Sequence, residues 1–103
     1  MKALEMKIDK NKIKNICREH GIKRLALFGS ILRDDFGPES DVDIVLEFHE
    51  EKIPGLFTFN RIRSELSAAF SGRQVDLTTY AALSKRVLET VEAEGRVEYD
   101  EAV

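Results

Sequence analysis

The sequence has little of what several classes of protein require. It has one cysteine and no tryptophan among 103 residues, which excludes an internal disulfide and makes a reducing cytoplasm the expected location. No apolar run approaches the roughly 20 residues of a membrane-spanning helix, and the N-terminus lacks the apolar stretch of a signal peptide. The net charge of −3 gives no overall basic field, so we expect neither a membrane nor a nucleic acid as partner.

What remains is the composition of one globular domain. Hydrophobic residues make up 43% of the chain and charged residues 34%, which is ordinary for a folded protein. A chain of 103 residues has room for one hydrophobic core. We therefore predict a single domain over residues 1–103, without internal repeats.

Hydrophobic periodicity and glycine positions divide the chain into helices and strands. The pattern predicts helices over 9–20, 56–70 and 81–94, strands over 22–28, 41–48 and 73–79, and a short edge at 96–99. Only about a dozen residues connect the first two strands, enough for a hairpin-like pair with a helical turn at 31–34. The expected fold is α/β, with a small mixed sheet packed by helices. The acidic end at 100–101 is expected to be mobile.

Two acidic residues open the second strand. In a strand, Asp41 and Asp43 stand at positions i and i+2 and point to the same face. Two carboxylates this close raise each other's pKa unless a cation lies between them. Oxygen ligands of this kind favour Mg²⁺, which takes further ligands from phosphates. Gly29 and Ser30, at the end of the first strand, offer a turn that a phosphate could approach. These residues predict a site for a metal-bound nucleoside triphosphate.

A third carboxylate is expected to complete this site. Asp76 lies in a short predicted strand, with Val75 and Leu77 on the opposite face. Asp41 alone could be ordinary turn chemistry beside Ser40. An unpaired carboxylate inside an apolar strand is costly, however, and such violations of a local rule occur at functional sites. We therefore expect three buried carboxylates that hold two Mg²⁺ ions, as in two-metal phosphoryl transfer.

These motifs together resemble a known family. Four features resemble motifs of the minimal nucleotidyltransferases of the DNA polymerase β-like superfamily. They are the pair Gly29-Ser30, the single Arg33, the run Ser40-Asp41-Val42-Asp43 and the later run Val75-Asp76-Leu77. The resemblance covers about residues 22–99. The family commonly has a glycine after the arginine, where this chain has residues 34–36, Asp-Asp-Phe. That difference concerns the connecting turn.

The resemblance implies roles for particular residues. Asp41, Asp43 and Asp76 match the metal-binding and catalytic residues, and Asp76 matches the one that helps to deprotonate the acceptor. Gly29 and Ser30 match the residues that hold the triphosphate. Arg33 and Ser40 are further candidates for nucleotide binding, although Arg33 could instead pair with a neighbouring aspartate.

The implied reaction is transfer of AMP from ATP to a hydroxyl group. The smallest members of the family are commonly antitoxins that adenylylate a tyrosine of a partner HEPN-domain toxin. Two alternatives remain open: a non-catalytic antitoxin that neutralises its partner by contact, and an aminoglycoside-type enzyme that modifies a small molecule. The latter would need a second substrate wall, which a homo-oligomer could supply. Tyr80 and Tyr99 are competing acceptors within the chain, and Tyr99 is favoured because it adjoins the end expected to be mobile.

Overall fold

The computed structural model describes residues 7–33, 37 and 40–102. Within them the chain alternates between helices and strands, in the order α1 (Lys10–His20), β1 (Ile22–Phe28), β2 (Val42–Phe48), α2 (Leu56–Ala69), β3 (Val75–Thr79), α3 (Lys85–Glu94) and β4 (Arg96–Asp100). Short 3₁₀ turns occupy Gly29–Leu32, Glu50–Lys52 and Tyr80–Ala82. Among the described residues, no helix has both the length and the apolarity that crossing a bilayer requires.

The four strands form one sheet in the order β3-β2-β1-β4. β1 is antiparallel to both β2 and β4, whereas β2 and β3 are parallel. A short connection joins the antiparallel pair β1–β2, and the parallel pair β2–β3 is joined through α2, as a crossover requires. The predicted small mixed sheet packed by helices is therefore confirmed.

The two faces of the sheet have different roles. On one face α1 and α2 cover the main core, to which β2 contributes Val42, Ile44 and Leu46. On the other face α3 packs through Val91 over Ala26 and Val45. Because side chains alternate along a strand, the residues between the core positions of β2 point to the α3 side. That alternation places Asp43 on the second face, away from the main core.

Most of the predicted boundaries lie within one residue of the observed ones, but the predicted starts of one helix and one strand were wrong by two residues or more. The helix expected from residue 81 begins at Lys85, because Ser84 has extended backbone and its Oγ accepts a hydrogen bond from the Val87 N–H (3.3 Å). The strand expected from residue 73 begins at Val75. Arg73 still closes the turn after α2, where its N–H donates to the Phe70 carbonyl (3.1 Å).

The end of the described chain is held in place, contrary to expectation. Asp100 is the last residue of β4, and the Glu101 N–H donates to the Lys23 carbonyl (3.0 Å). The Glu101 carboxylate also lies 2.7 Å from His49 Nε2. Tyr99 packs against the main core, on the face opposite Asp43. The reason for favouring Tyr99 as an acceptor within the chain is therefore lost.

The end of α1 provides a test of the fold. Gly21 has φ +67°, and a Cβ added there would lie 2.5 Å from Lys52 Cγ. We predict that Gly21→Ala lowers the free energy of unfolding by about 1–2 kcal/mol, because left-handed backbone is strained for alanine. Urea denaturation measures the change. Gly21→Asn is the control, because asparagine adds the same Cβ but tolerates the left-handed conformation better. An equal loss of unfolding free energy in both variants would identify crowding against Lys52 as the cause. Unchanged stability of Gly21→Ala would contradict the prediction.

Candidate active site

Asp43 lies at the centre of the candidate site. Its pairing partners are Phe28 on β1 and Asp76 on β3. Residues in register on neighbouring strands point to the same face, with the strands about 4.8 Å apart. The structure therefore brings Asp43 and Asp76 side by side on the face opposite the main core, as the sequence motifs predicted.

Asp41 stands immediately before β2, two residues from Asp43, and its charge acts on Asp43. The adjoining backbone is fixed, because the Val42 N–H donates to the Gln74 carbonyl (2.9 Å) and so aligns the starts of β2 and β3. The three acidic positions therefore lie at the same end of the sheet, although their carboxylate oxygens do not all come within 4.8 Å of one another.

The turn at Gly29 and Ser30 is tied to the Asp43 carboxylate. Gly29 has φ +77°, and a Cβ added there would lie 2.3 Å from Asp43 Oδ2. The backbone N–H of Ser30 donates a hydrogen bond to the same carboxylate. Glycine is required here for two reasons: the left-handed backbone conformation, and the space that the carboxylate occupies. Whether Gly29 and Ser30 hold a triphosphate stays a prediction.

The surroundings of Asp43 disfavour its ionised form. Partial burial raises the pKa of Asp43, and the charges of Asp76 and then Asp41 raise it further. The Ser30 hydrogen bond and the charge of Arg33 oppose this rise. A divalent cation among the carboxylates would relieve both the burial cost and the repulsion. The donor set, carboxylate oxygens open to solvent, fits Mg²⁺.

The expectation of three buried carboxylates was wrong. Asp43 is half-buried, whereas Asp41 and Asp76 are exposed. The reason is position: both exposed residues lie where a strand begins, Asp41 immediately before β2 and Asp76 at the second residue of β3. Their exposure leaves the cluster accessible to a ligand.

Arg33 lies beside the turn, at a cavity of about 330 Å³. Its N–H donates to the Ser30 carbonyl (2.9 Å) and continues the turn. The cavity is lined by Phe28, Gly29, Leu32, Arg33, Thr90 and Glu94. The sequence motifs gave no sign of Thr90 and Glu94, because α3 reaches the turn only through the tertiary fold. The helical turn predicted at 31–34 is the 3₁₀ turn Gly29–Leu32, and residue 34 is outside the described residues.

Ser40 belongs to the turn that leads into Asp41. Its Oγ accepts a hydrogen bond from the Gly37 N–H (3.0 Å), and its own N–H donates to the Gly37 carbonyl (3.1 Å). The structure therefore gives Ser40 a part in shaping this turn. Its predicted contact with a nucleotide stays a prediction.

Sequence reasoning missed Arg73. Its guanidinium donates to the Ser40 carbonyl (2.6 Å) and to the Gly37 carbonyl. It thereby fixes the turn before Asp41 to the segment before β3, which carries Asp76. No local pattern could have revealed this contact, because more than thirty residues separate the partners.

Comparisons with known proteins agree with this geometry. A family model described as polymerase beta, nucleotidyltransferase matches residues 11–102. The chain is 33% identical over 78 residues to the protein adenylyltransferase MntA of Thermococcus cleftensis, a match that covers 76% of each chain.

Solved structures show the same fold. One, described as a toxin-antitoxin with AMP-PNP, has a TM-score of 0.72 at 21% identity and covers 90% of this chain and 74% of its own. Another is a complex of a tri-AMPylated Shewanella oneidensis HEPN toxin with MNT antitoxin. Its TM-score is 0.65 at 20% identity, over 91% of this chain and 71% of its own. At these identities the likeness establishes the fold alone.

The contact between Gly29 and Asp43 predicts an effect on metal binding. In Gly29→Ala, the added Cβ displaces the Asp43 carboxylate. We expect affinity for Mn²⁺, used as a probe in titration calorimetry, to fall about 10-fold or more. Gly72→Ala is a matched control, since Gly72 also has φ +77° but has nothing within 4 Å of the added Cβ. Both variants should lose stability through strain in the left-handed backbone, but only Gly29→Ala also crowds Asp43. Equal Mn²⁺ affinity in both would contradict the prediction.

The raised pKa of Asp43 predicts how stability varies with pH in metal-free protein. The folded state holds this proton more tightly than the unfolded chain does, so ionisation of Asp43 destabilises the fold. The protonated Asp43 side chain contributes fully to the free energy of unfolding below the ordinary pKa of an aspartate, about 4. This contribution is lost as pH rises through the raised pKa of the folded state.

Asp43→Asn removes this loss. With chelator present, the variant should be more stable than the wild type at pH values above the raised pKa of Asp43. Its stability should also depend less on pH. Urea unfolding from about pH 4 to about pH 8 measures both. Asp9→Asn is the control, because Asp9 caps α1 and asparagine caps equally well. A variant less stable than the wild type at neutral pH would refute the prediction.

Proposed function

This chain belongs to the polymerase beta nucleotidyltransferase family, and from that premise we propose that it transfers AMP from ATP to a hydroxyl group of a partner protein. The observation that carries the proposal is the pairing of Asp43 with Asp76 on one open face, with the Gly29-Ser30 turn attached to Asp43. The proposed acceptor is a tyrosine of a HEPN-domain toxin, so the chain would act as its antitoxin in the cytoplasm.

Asp41, Asp43 and Asp76 would hold two Mg²⁺ ions. The ions would supply charge that stabilises the triphosphate and the leaving pyrophosphate. The raised pKa of Asp43 supports this assignment, because three carboxylates without a cation are mutually unfavourable. If this strand end had a structural role alone, the repulsion between its carboxylates would lower stability and serve no purpose.

The chain's own residues would position the reactants. The backbone at Gly29 and Ser30 would hold the triphosphate, with Arg33 beside it at the cavity. Asp76, exposed and on the far side of Asp43 from the turn, would accept the proton of the acceptor hydroxyl. The acceptor oxygen then forms a bond to the α-phosphorus while the bond from that phosphorus to the bridging oxygen breaks, and pyrophosphate leaves. Positioning and charge would supply most of the catalysis.

The comparisons support the choice of acceptor. The Thermococcus relative is named a protein adenylyltransferase, and the Shewanella structure contains an AMPylated HEPN toxin with its antitoxin. The net charge of −3 favours a protein acceptor over a polynucleotide. Asp41 and Asp76 are exposed, so a partner has access to the acceptor side of the cluster.

The test is a labelling experiment. The chain is incubated with ATP labelled on the α-phosphate, with Mg²⁺ and with a HEPN-domain protein from the same organism. We expect label on the partner, and a fall of about 100-fold or more in the transfer rate for Asp43→Asn, because a principal charge at the reacting phosphate is lost. Asp9→Asn should transfer at the wild-type rate.

Other outcomes would replace the proposal. Suppression of the toxin without any label on protein would favour neutralisation by contact. Label on an aminoglycoside but not on protein would favour a small-molecule enzyme. Extension of an RNA 3′ end would overturn the protein acceptor altogether.

A further inference from the structure

β3, the strand that carries Asp76, lies at one edge of the sheet. It pairs with β2 on one side. On its outer side, no other strand of residues 7–33, 37 and 40–102 pairs with it, and no turn or loop among them makes a backbone hydrogen bond to residues 75–79. The backbone groups that point outward are therefore available to a partner.

The direction of each backbone group in β3 follows from one hydrogen bond. The Gln74 carbonyl accepts from the Val42 N–H at the start of β2, so Gln74 faces inward. Backbone groups alternate in direction along a strand, so Asp76 and Thr78 also face β2. The N–H and C=O groups of Val75, Leu77 and Thr79 consequently point to the outer side.

The two edges of the sheet differ in their protection. β4, at the other edge, has the charged residues Arg96, Glu98 and Asp100 and a register shift opposite β1. Charges and irregular register are the features by which edge strands avoid further pairing. β3 has a continuous register and no proline, glycine or lysine, and its one charge belongs to Asp76. The edge beside the candidate active site is the one left open for pairing.

We propose that an extended segment of the acceptor protein adds to the outer edge of β3 as a fifth strand and so presents the acceptor hydroxyl to Asp76. This inference rests on the proposed function. Residues in register on adjacent strands point to the same face, so the residue opposite Asp76 stands on the catalytic face beside it. Backbone hydrogen bonds would supply binding, and the register would select the acceptor residue.

The charges at this edge favour the acceptor over a second copy of the chain. A neutral or basic segment would complement Asp76, whereas a second β3 would bring another Asp76 to the same face, where like charges repel. A second copy would also cover the acceptor side of the cluster.

Hydrogen exchange gives a position-specific test. The wild-type chain is mixed with the HEPN-domain protein and a non-hydrolysable ATP analogue, and amide exchange is followed by NMR. We expect the amides of Val75, Leu77 and Thr79 to exchange rapidly in the free chain and to become protected in the complex. Asp76 and Thr78, bonded to β2, should be protected in both. Protection of all five amides in the free chain, rising with its concentration, would assign the edge to a second copy and overturn the proposal.

A pair of variants at Thr79 tests the same edge by function. Thr79→Pro removes one outward N–H, and Thr79→Val keeps it with a side chain of similar shape. We expect Thr79→Pro to raise the KM for the acceptor protein about 10-fold while the KM for ATP stays unchanged, and Thr79→Val to behave as the wild type. Stabilisation by ATP with Mg²⁺ in a thermal melt shows that the proline variant is folded.

The outcomes separate this inference from the proposed function. If the wild type labels no protein, the proposed function fails, and the edge proposal fails with it. If the wild type labels its partner and Thr79→Pro does so with an unchanged KM, or if the outward amides stay unprotected in the complex, the edge proposal alone fails.

Discussion

The contact between the Asp43 carboxylate and the Gly29-Ser30 turn is the constraint on which the rest of the site depends. The carboxylate occupies the space where a side chain at residue 29 would be and accepts the Ser30 N–H. One interaction thus fixes the geometry between a predicted metal ligand on β2 and a predicted phosphate-holding turn that follows β1. It also keeps Asp43 beside two like charges, and a site that resists ionisation of its central group is one that favours a cation.

The alternation of side chains in the sheet places this contact on the face opposite the main core. Alternation along β2 sends Val42 and Ile44 into the core beneath α1 and α2 and leaves Asp43 on the other face. The same strand therefore stabilises the fold with one set of side chains and supplies chemistry with the other. α3 packs on that second face through Val91 and reaches the turn at Gly29 through Thr90 and Glu94, whereas Asp41 and Asp76 remain exposed.

The mixed topology determines what lies on each side of Asp43. The antiparallel neighbour β1 ends at the turn that would hold phosphate, and the parallel neighbour β3 begins near Asp76. The proposed nucleotide side and the proposed acceptor side are thus separated by the width of one strand. Because the proposed acceptor side is also an edge of the sheet among the described residues, the proposed protein acceptor would approach from outside without any rearrangement of the core.

The existence of the helices and strands and the acidic motif could be predicted from the sequence, because both depend on local chemistry. Apolar spacing indicates α1 and α2, and Gly21 ends the first helix. The motif also indicated that Asp43 lies on a strand, whereas Asp41 precedes that strand by one residue. The start of α3 was misplaced because the 3₁₀ turn at Tyr80–Ala82 competes with a helix of similar local pattern. The neighbouring strands, the position of Asp43 beside Gly29 and the contact of Arg73 with the turn before Asp41 became known from the three-dimensional structure alone. The same holds for the position of β3 at an edge of the sheet that residues 7–33, 37 and 40–102 form. These features join residues far apart in the chain, and long-range packing and hydrogen bonding leave no local pattern from which they could be read.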